Sequence, residues 1–142
     1  MTTLSMILKG LTLLLALFFV FLGLQWLFVP HNLASAFYIE PVGIGGIATM
    51  RADLGAFFFS TGVITALGVR DSTHANTFLF CATLLIGTAA VGRLAGFLID
   101  GVTSSLMTPF IVELIIVALF VALASVRIKL RNLKPTMEET NG

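Results

Sequence analysis

Charge is scarce in this sequence. Only 11% of its 142 residues are Asp, Glu, Lys or Arg, whereas a soluble domain usually carries about 25%. So few charges could not cover a globular protein of this size. A lipid solvent removes the difficulty, because outward-facing apolar side chains cost nothing there. The formal net charge is +1, which argues against a nucleic-acid partner and leaves little long-range steering. Cysteine occurs once, as Cys81 inside an apolar run. It can form no internal disulfide and lacks the partner spacing of a metal or redox motif.

What the chain has in excess is hydrocarbon. Apolar residues make up 58% of it, 13 of them Phe, and the mean hydropathy is +1.06. Its length supports a single domain. A bilayer core of roughly 30 Å needs about 20 helical residues at 1.5 Å each. Four runs meet that length, at about residues 10–29, 47–69, 77–99 and 107–126, and residues 135–142 form a polar tail expected to be flexible. Strands of a membrane barrel would instead alternate apolar and polar positions. The expected fold is therefore all-α, an integral membrane four-helix bundle.

The first run, from Gly10 to Val29, is interrupted only by Thr12 and Gln25. It exceeds the roughly 7–15-residue core of a secretion signal and has no clear small-residue cleavage site before Pro30, so it reads as a retained helix. Trp26 stands where an interfacial indole would sit. In the connection at 30–46, Pro41, Gly43, Gly45 and Gly46 argue against a regular element throughout. It either lies flat on the membrane, with a short amphipathic piece around Leu33, Phe37 and Tyr38, or caps the bundle.

Basic residues near span ends set the orientation. Arg127, Lys129, Arg131 and Lys134 follow the fourth run, so that end is expected in the cytoplasm. Four spans return the N-terminus to the same side, where Lys9 agrees. Both termini are therefore expected on the cytoplasmic side of the membrane. His31 and His74 then lie on opposite sides and share no metal site. The glycines at 43, 45 and 46 lack the strand and helix context of a phosphate loop.

Depth gathers the remaining ionisable residues. Gln25 closes span one, Arg51 and Asp53 open span two, Arg93 and Asp100 end span three, and Glu113 lies one to two turns into span four. All six fall in the outer layer. Arg93 and Asp100 are seven positions apart and share a helix face. Gly92 and Gly96 have the small-residue spacing that lets helices approach closely. Intramembrane charges normally pair, face the interior or snorkel. Glu113 has no polar neighbour along its own run, so Arg93 or Arg51 is its natural partner. Two readings stay open: an ion-pair network that fixes helix register, and a pocket in which the arginines hold an anion or carbonyl while Glu113 is counter-ion or proton acceptor.

Gly23-Leu24, Pro30, Arg51-Ala52-Asp53 with Gly55, Gly62, and Gly92-Arg93-Leu94 followed by Asp100-Gly101 together resemble the DUF4345 group of small bacterial four-helix membrane proteins, an uncharacterised family with DoxX-like relatives. The resemblance spans about residues 10–125. It implies a four-span inner-membrane protein and, through the relatives' association with quinone-linked chemistry, a quinone-like or lipid ligand near Arg51, Asp53, Arg93 and Asp100. Glu113 enters from the depth argument alone. No recognisable pattern for haem, flavin or an iron–sulfur cluster is present, so no cofactor is expected. The function expected is binding of a membrane lipid or quinone-like small molecule in an outer-leaflet polar pocket, by a chain that works alone, as a homo-oligomer or with a membrane-protein partner. One alternative is a small transporter or channel subunit, whose route would run past Ser60, Thr61, Thr65, Thr83 and Thr88. Another is a membrane-embedded enzyme using Glu113 or Asp53 as acid or base.

Overall fold

Each long apolar run forms one helix, because in lipid every backbone N–H and C=O must be satisfied within its own segment. The computed structural model describes residues 3–139, with side chains as far as Asn132. The expected tail at 135–142 lies outside the described side chains. In chain order, α1 is Thr3–Phe28, α2 is Pro30–Ala34 with a 3-10 turn at Ser35–Phe37, and α3 is Gly43–Met50. A wider π turn, Arg51–Gly55, joins α3 without a break to α4, Ala56–Val69. Then come α5, Ala75–Ile99, and α6, Ser104–Glu139. Four helical segments are long and apolar enough to cross a membrane: Thr3–Phe28, Gly43–Val69, Ala75–Ile99 and Ser104–Asn132. The fold is all-α.

The helices outrun the expected apolar stretches, and α1 begins seven residues early. Nothing between Thr3 and Lys9 breaks a helix, so the hydrogen-bond ladder continues beyond the hydrocarbon. The second span begins at Gly43, four residues before the expected start at about residue 47. Gly43 adopts the left-handed φ of +62° that turns the chain into α3, and Thr49 Oγ1 donates to the Gly45 carbonyl at 3.0 Å. A Cβ on Gly46 would stand 3.3 Å from the Pro41 backbone, so this glycine lets the loop fold tightly against the helix.

The helices alternate in direction, with neighbours in the cyclic order α1, α4, α5, α6. The most extensive contact is between α1 and α4, followed by α5 with α6 and α4 with α5. The α1–α4 seam is built from small residues. Cβ atoms on Gly23 and Gly62 would stand 2.4 Å from Phe59 N and 2.6 Å from Val20 N, well inside contact distance. Such close backbone approach is how membrane helices gain dispersion energy without a hydrophobic drive. By contrast, Gly92 has open space around it, and the nearest atoms to a Cβ on Gly96 are 4.0 Å away. The expectation that Gly92 and Gly96 draw helices together fails, because Gly92 faces open space and Gly96 meets α6 only through the Leu106 side chain, at the outer limit of contact.

The core lies between the helices, from Phe19, Leu79, Ala82 and Ile86 to Ile116, Phe120 and Leu123. A second cluster surrounds Trp26, Ala34 and Met50, with Leu33 and Phe37 packed on it. The connection after α1 therefore folds onto the bundle end as a cap. Trp26 is not the exposed belt residue expected: its exposure is 0%, and Phe37 meets it edge-on at 5.1 Å. Tyr38 points away, in a left-handed conformation after the cap.

Candidate functional site

The end of the bundle where α1 begins and α6 finishes is called here the near end, and the opposite one the distal end. At the near end, Lys9 Nζ donates to Asp71 Oδ1 at 2.5 Å, joining α1 to the α4–α5 turn. The Lys9 ammonium holds the Asp71 carboxyl below the usual carboxylate range, first by that hydrogen bond and then by its charge. Arg127 donates to the Gly68 carbonyl and, at 2.6 Å, to the Val69 carbonyl. Its guanidinium thus satisfies two carbonyls that the end of α4 leaves without helical donors. Sequence reasoning took Arg127 for a topology signal alone. The missed cue was its level with the Val69-Arg70 helix end, visible once α4 and α6 are laid against a common depth.

At the distal end one pair of expected residues meets. Arg93 Nε donates to Glu113 Oε1 at 2.9 Å, linking α5 to α6, with side-chain exposures of 29% and 13%. Antiparallel neighbours explain the meeting, since both residues lie about two to three turns from the connection at residues 100–103. Phe97, one turn beyond Arg93, and Phe110, just under one turn before Glu113, close over the pair edge to face at 5.2 Å. On the other side lies the apolar core, beginning with Ile116. This aromatic clasp was missed from sequence, although its i,i+4 and i,i−3 spacings from the charged pair were legible.

The other four expected residues stand apart. Arg51 and Asp53 lie exposed on the π turn, Asp100 is exposed at the end of α5, and Gln25 is half-buried on α1. Among the described residues no hydrogen bond or ion pair joins any of them to Arg93 or Glu113. Asp100 shares a helix face with Arg93 by its seven-residue spacing. Glu113 reaches the guanidinium instead, while Asp100 sits at the helix end, where its backbone N–H bonds to Gly96. The π turn remains of interest, because such turns recur where side chains are aimed for function.

Two further observations define what the site can do. Glu113 Oε2 is buried and accepts no hydrogen bond among the described residues, and Arg93 uses only its Nε–H, leaving its terminal N–H groups for another acceptor. The site is an open-sided polar seam between two helices. A separate open groove of about 410 Å³, beside Ser125, Ile128, Lys129 and Asn132, lies about 18 Å away, twelve α6 residues on from Glu113. Four of the five hydroxyls expected along a polar route are turned back on their own helices, while Thr65 Oγ1 is buried with no hydrogen-bond partner among the described residues. Ser60, Thr61, Thr83 and Thr88 donate to Ala56, Phe57, Leu79 and Leu84 carbonyls respectively.

The family described as Domain of unknown function (DUF4345) matches residues 7–124. No curated protein and no solved structure matches the chain.

Proposed function

The chain belongs to the DUF4345 family, and within its four-helix membrane frame we propose that it binds a lipid- or quinone-like amphiphile at the distal polar seam. The proposed orientation puts both termini in the cytoplasm of a bacterial cell and the seam in the outer leaflet of the inner membrane. The near-end charges Lys9, Arg70, Arg127, Lys129 and Arg131 support it through the positive-inside rule.

The observation that carries the reading is the Arg93–Glu113 pair, set within two spans yet incompletely satisfied. A register-fixing pair gains most when every lone pair and proton is used. Here the guanidinium keeps free donors at a partly exposed position, which suits an acceptor oxygen arriving from the lipid phase. Arg51 lies at a similar depth and offers a second cation to an anionic headgroup. Asp53, Asp100 and Gln25 form the rim of this layer.

The turned-back hydroxyls weigh against transport, because among the five expected along a route only Thr65 keeps an unbonded hydroxyl in the described residues. Catalysis by Glu113 or Asp53 would need a reacting group held against it, and binding requires no such addition. The test is extraction of the chain in lipid nanodiscs, followed by mass spectrometry of the co-purified small molecules. Enrichment of one amphiphile over bulk lipid, lost in Arg93→Gln, is the expected result. Bulk composition in both samples would sink the proposal.

A further inference from the structure

The unpartnered oxygen of Glu113 restricts the ligand's chemistry. Arg93 asks for an acceptor and Glu113 Oε2 asks for a donor, and the two charges stand side by side across 2.9 Å. We propose that the seam recognises a zwitterionic headgroup carrying a primary ammonium beside a phosphate, with phosphate on Arg93 and ammonium on Glu113. This rests on the binding reading above and deepens it.

Three features favour this class over the alternatives. An oxidised quinone carries acceptors only, so it can serve Arg93 but offers Glu113 nothing. A purely anionic headgroup also serves Arg93, and its negative charge beside the Glu113 carboxylate is repulsive. A trimethylated ammonium has the right charge but no N–H, so it leaves Oε2 unbonded. A primary ammonium supplies three donors, and with the phosphate beside it closes an alternating ring of four charges.

Access to Oε2 requires little rearrangement. The terminal torsion of glutamate is broad, so a partial turn of the carboxylate brings Oε2 toward the open flank. The guanidinium turns its terminal N–H groups to an arriving phosphate while its Nε–H stays on Oε1, and the ammonium meets Oε2. Phe97 and Phe110 cover the distal side of the pair, which restricts entry to the open flank between the helices.

The experiment is native mass spectrometry of the full chain titrated with phosphatidylethanolamine or with phosphatidylcholine of the same acyl chains. Charge-assisted hydrogen bonds are roughly twice as strong as neutral ones, so retention of the ethanolamine lipid about tenfold over the choline lipid is expected. Glu113→Gln should bring the ethanolamine lipid down to the level of the choline lipid. Equal retention of the two lipids by the wild-type chain would overturn the headgroup inference and leave the binding proposal standing. Retention of neither, or retention of both undiminished in Arg93→Gln, would overturn the binding proposal as well. The comparison of two lipids on the wild-type chain needs no variant, so it stands even if Glu113→Gln does not fold.

Discussion

Replacing Gly23 with alanine adds one methyl carbon, which would stand 2.4 Å from the Phe59 nitrogen, 2.6 Å from its Cα and 2.7 Å from its Cβ. All three atoms belong to any residue at position 59 except glycine, so truncating the Phe59 ring cannot make room. The helices must part by about 1 Å to restore ordinary contact, and a gap of that size forfeits a quarter to a half of each lost dispersion well. Overpacking typically costs about 1–3 kcal/mol, and clashes against backbone belong at the upper end. Alanine regains about 1 kcal/mol of helix propensity over glycine. The expected net loss is therefore about 2 kcal/mol, with Gly62→Ala similar because its added carbon would meet Val20 N and Ala16 O at 2.6 and 2.8 Å.

Trp26 is the sole tryptophan and is packed at the distal end of this seam, so its fluorescence reports the transition. Denaturant unfolding in detergent, monitored at the indole, should show Gly23→Ala and Gly62→Ala losing stability. Gly10→Ala and Gly92→Ala, which add a methyl group to open space, should be neutral or gain up to about 1 kcal/mol. The reasoning is refuted if Gly23→Ala unfolds with the wild type, or if Gly92→Ala loses as much as Gly23→Ala.

Arg127→Lys should cost about 1–2 kcal/mol and speed hydrogen exchange in the last turn of α4, because an ammonium cannot span the Gly68 and Val69 carbonyls as a planar guanidinium does. Unchanged exchange there would remove the capping role. Asp71 has a depressed folded pKa, so its contribution is fully present above the unfolded value near 3.9 and is lost as pH falls through the folded one. Asp71→Asn should sit slightly below the wild type at pH 7, converge with it in acid, and so flatten the acid limb by that same small amount, since the carboxylate is solvent-exposed. An unaltered acid limb would argue against the Lys9 linkage. For the distal pair, Arg93→Met and Glu113→Gln should each destabilise by about 1–3 kcal/mol, while the joint change Arg93→Met with Glu113→Leu should recover most of the loss. Losses that add in the double variant would mean that the two residues do not act as a pair.

The spans were legible because hydropathy along the chain is a one-dimensional property, and depth follows from counting along a helix. Arg93 and Glu113 could be paired in advance for that reason: two antiparallel neighbours joined by a short connection bring equal depths together. Azimuth is different. Whether Arg51 faces the bundle or its outside depends on the register of the α1–α4 seam and on the π turn that follows Met50, and neither is written in local composition. The glycines make the same point. Gly23, Gly62 and Gly92 look alike as letters, and only the fold decides that two lie against another backbone while the third does not.

The depth of the two charged layers bears on what the distal pair is for. From Glu113 to Arg127 is fourteen residues, about 21 Å, and from Asp53 to Arg70 is seventeen, about 26 Å, at 1.5 Å per residue. Both distances fall short of the roughly 30 Å of hydrocarbon, so the charged residues sit at or just inside its edges rather than at its centre. At that depth snorkelling makes a charge affordable, and register alone would not require Glu113 to be paired. An arginine at the boundary could reach headgroups unaided. A glutamate at 13% exposure holding that arginine to α6, with one oxygen still unbonded, accounts for less of its own desolvation than a finished structural pair would. The shortfall is small at the membrane edge, so such a site can stay folded while empty, and the proposed ligand would recover it by bringing the missing donor.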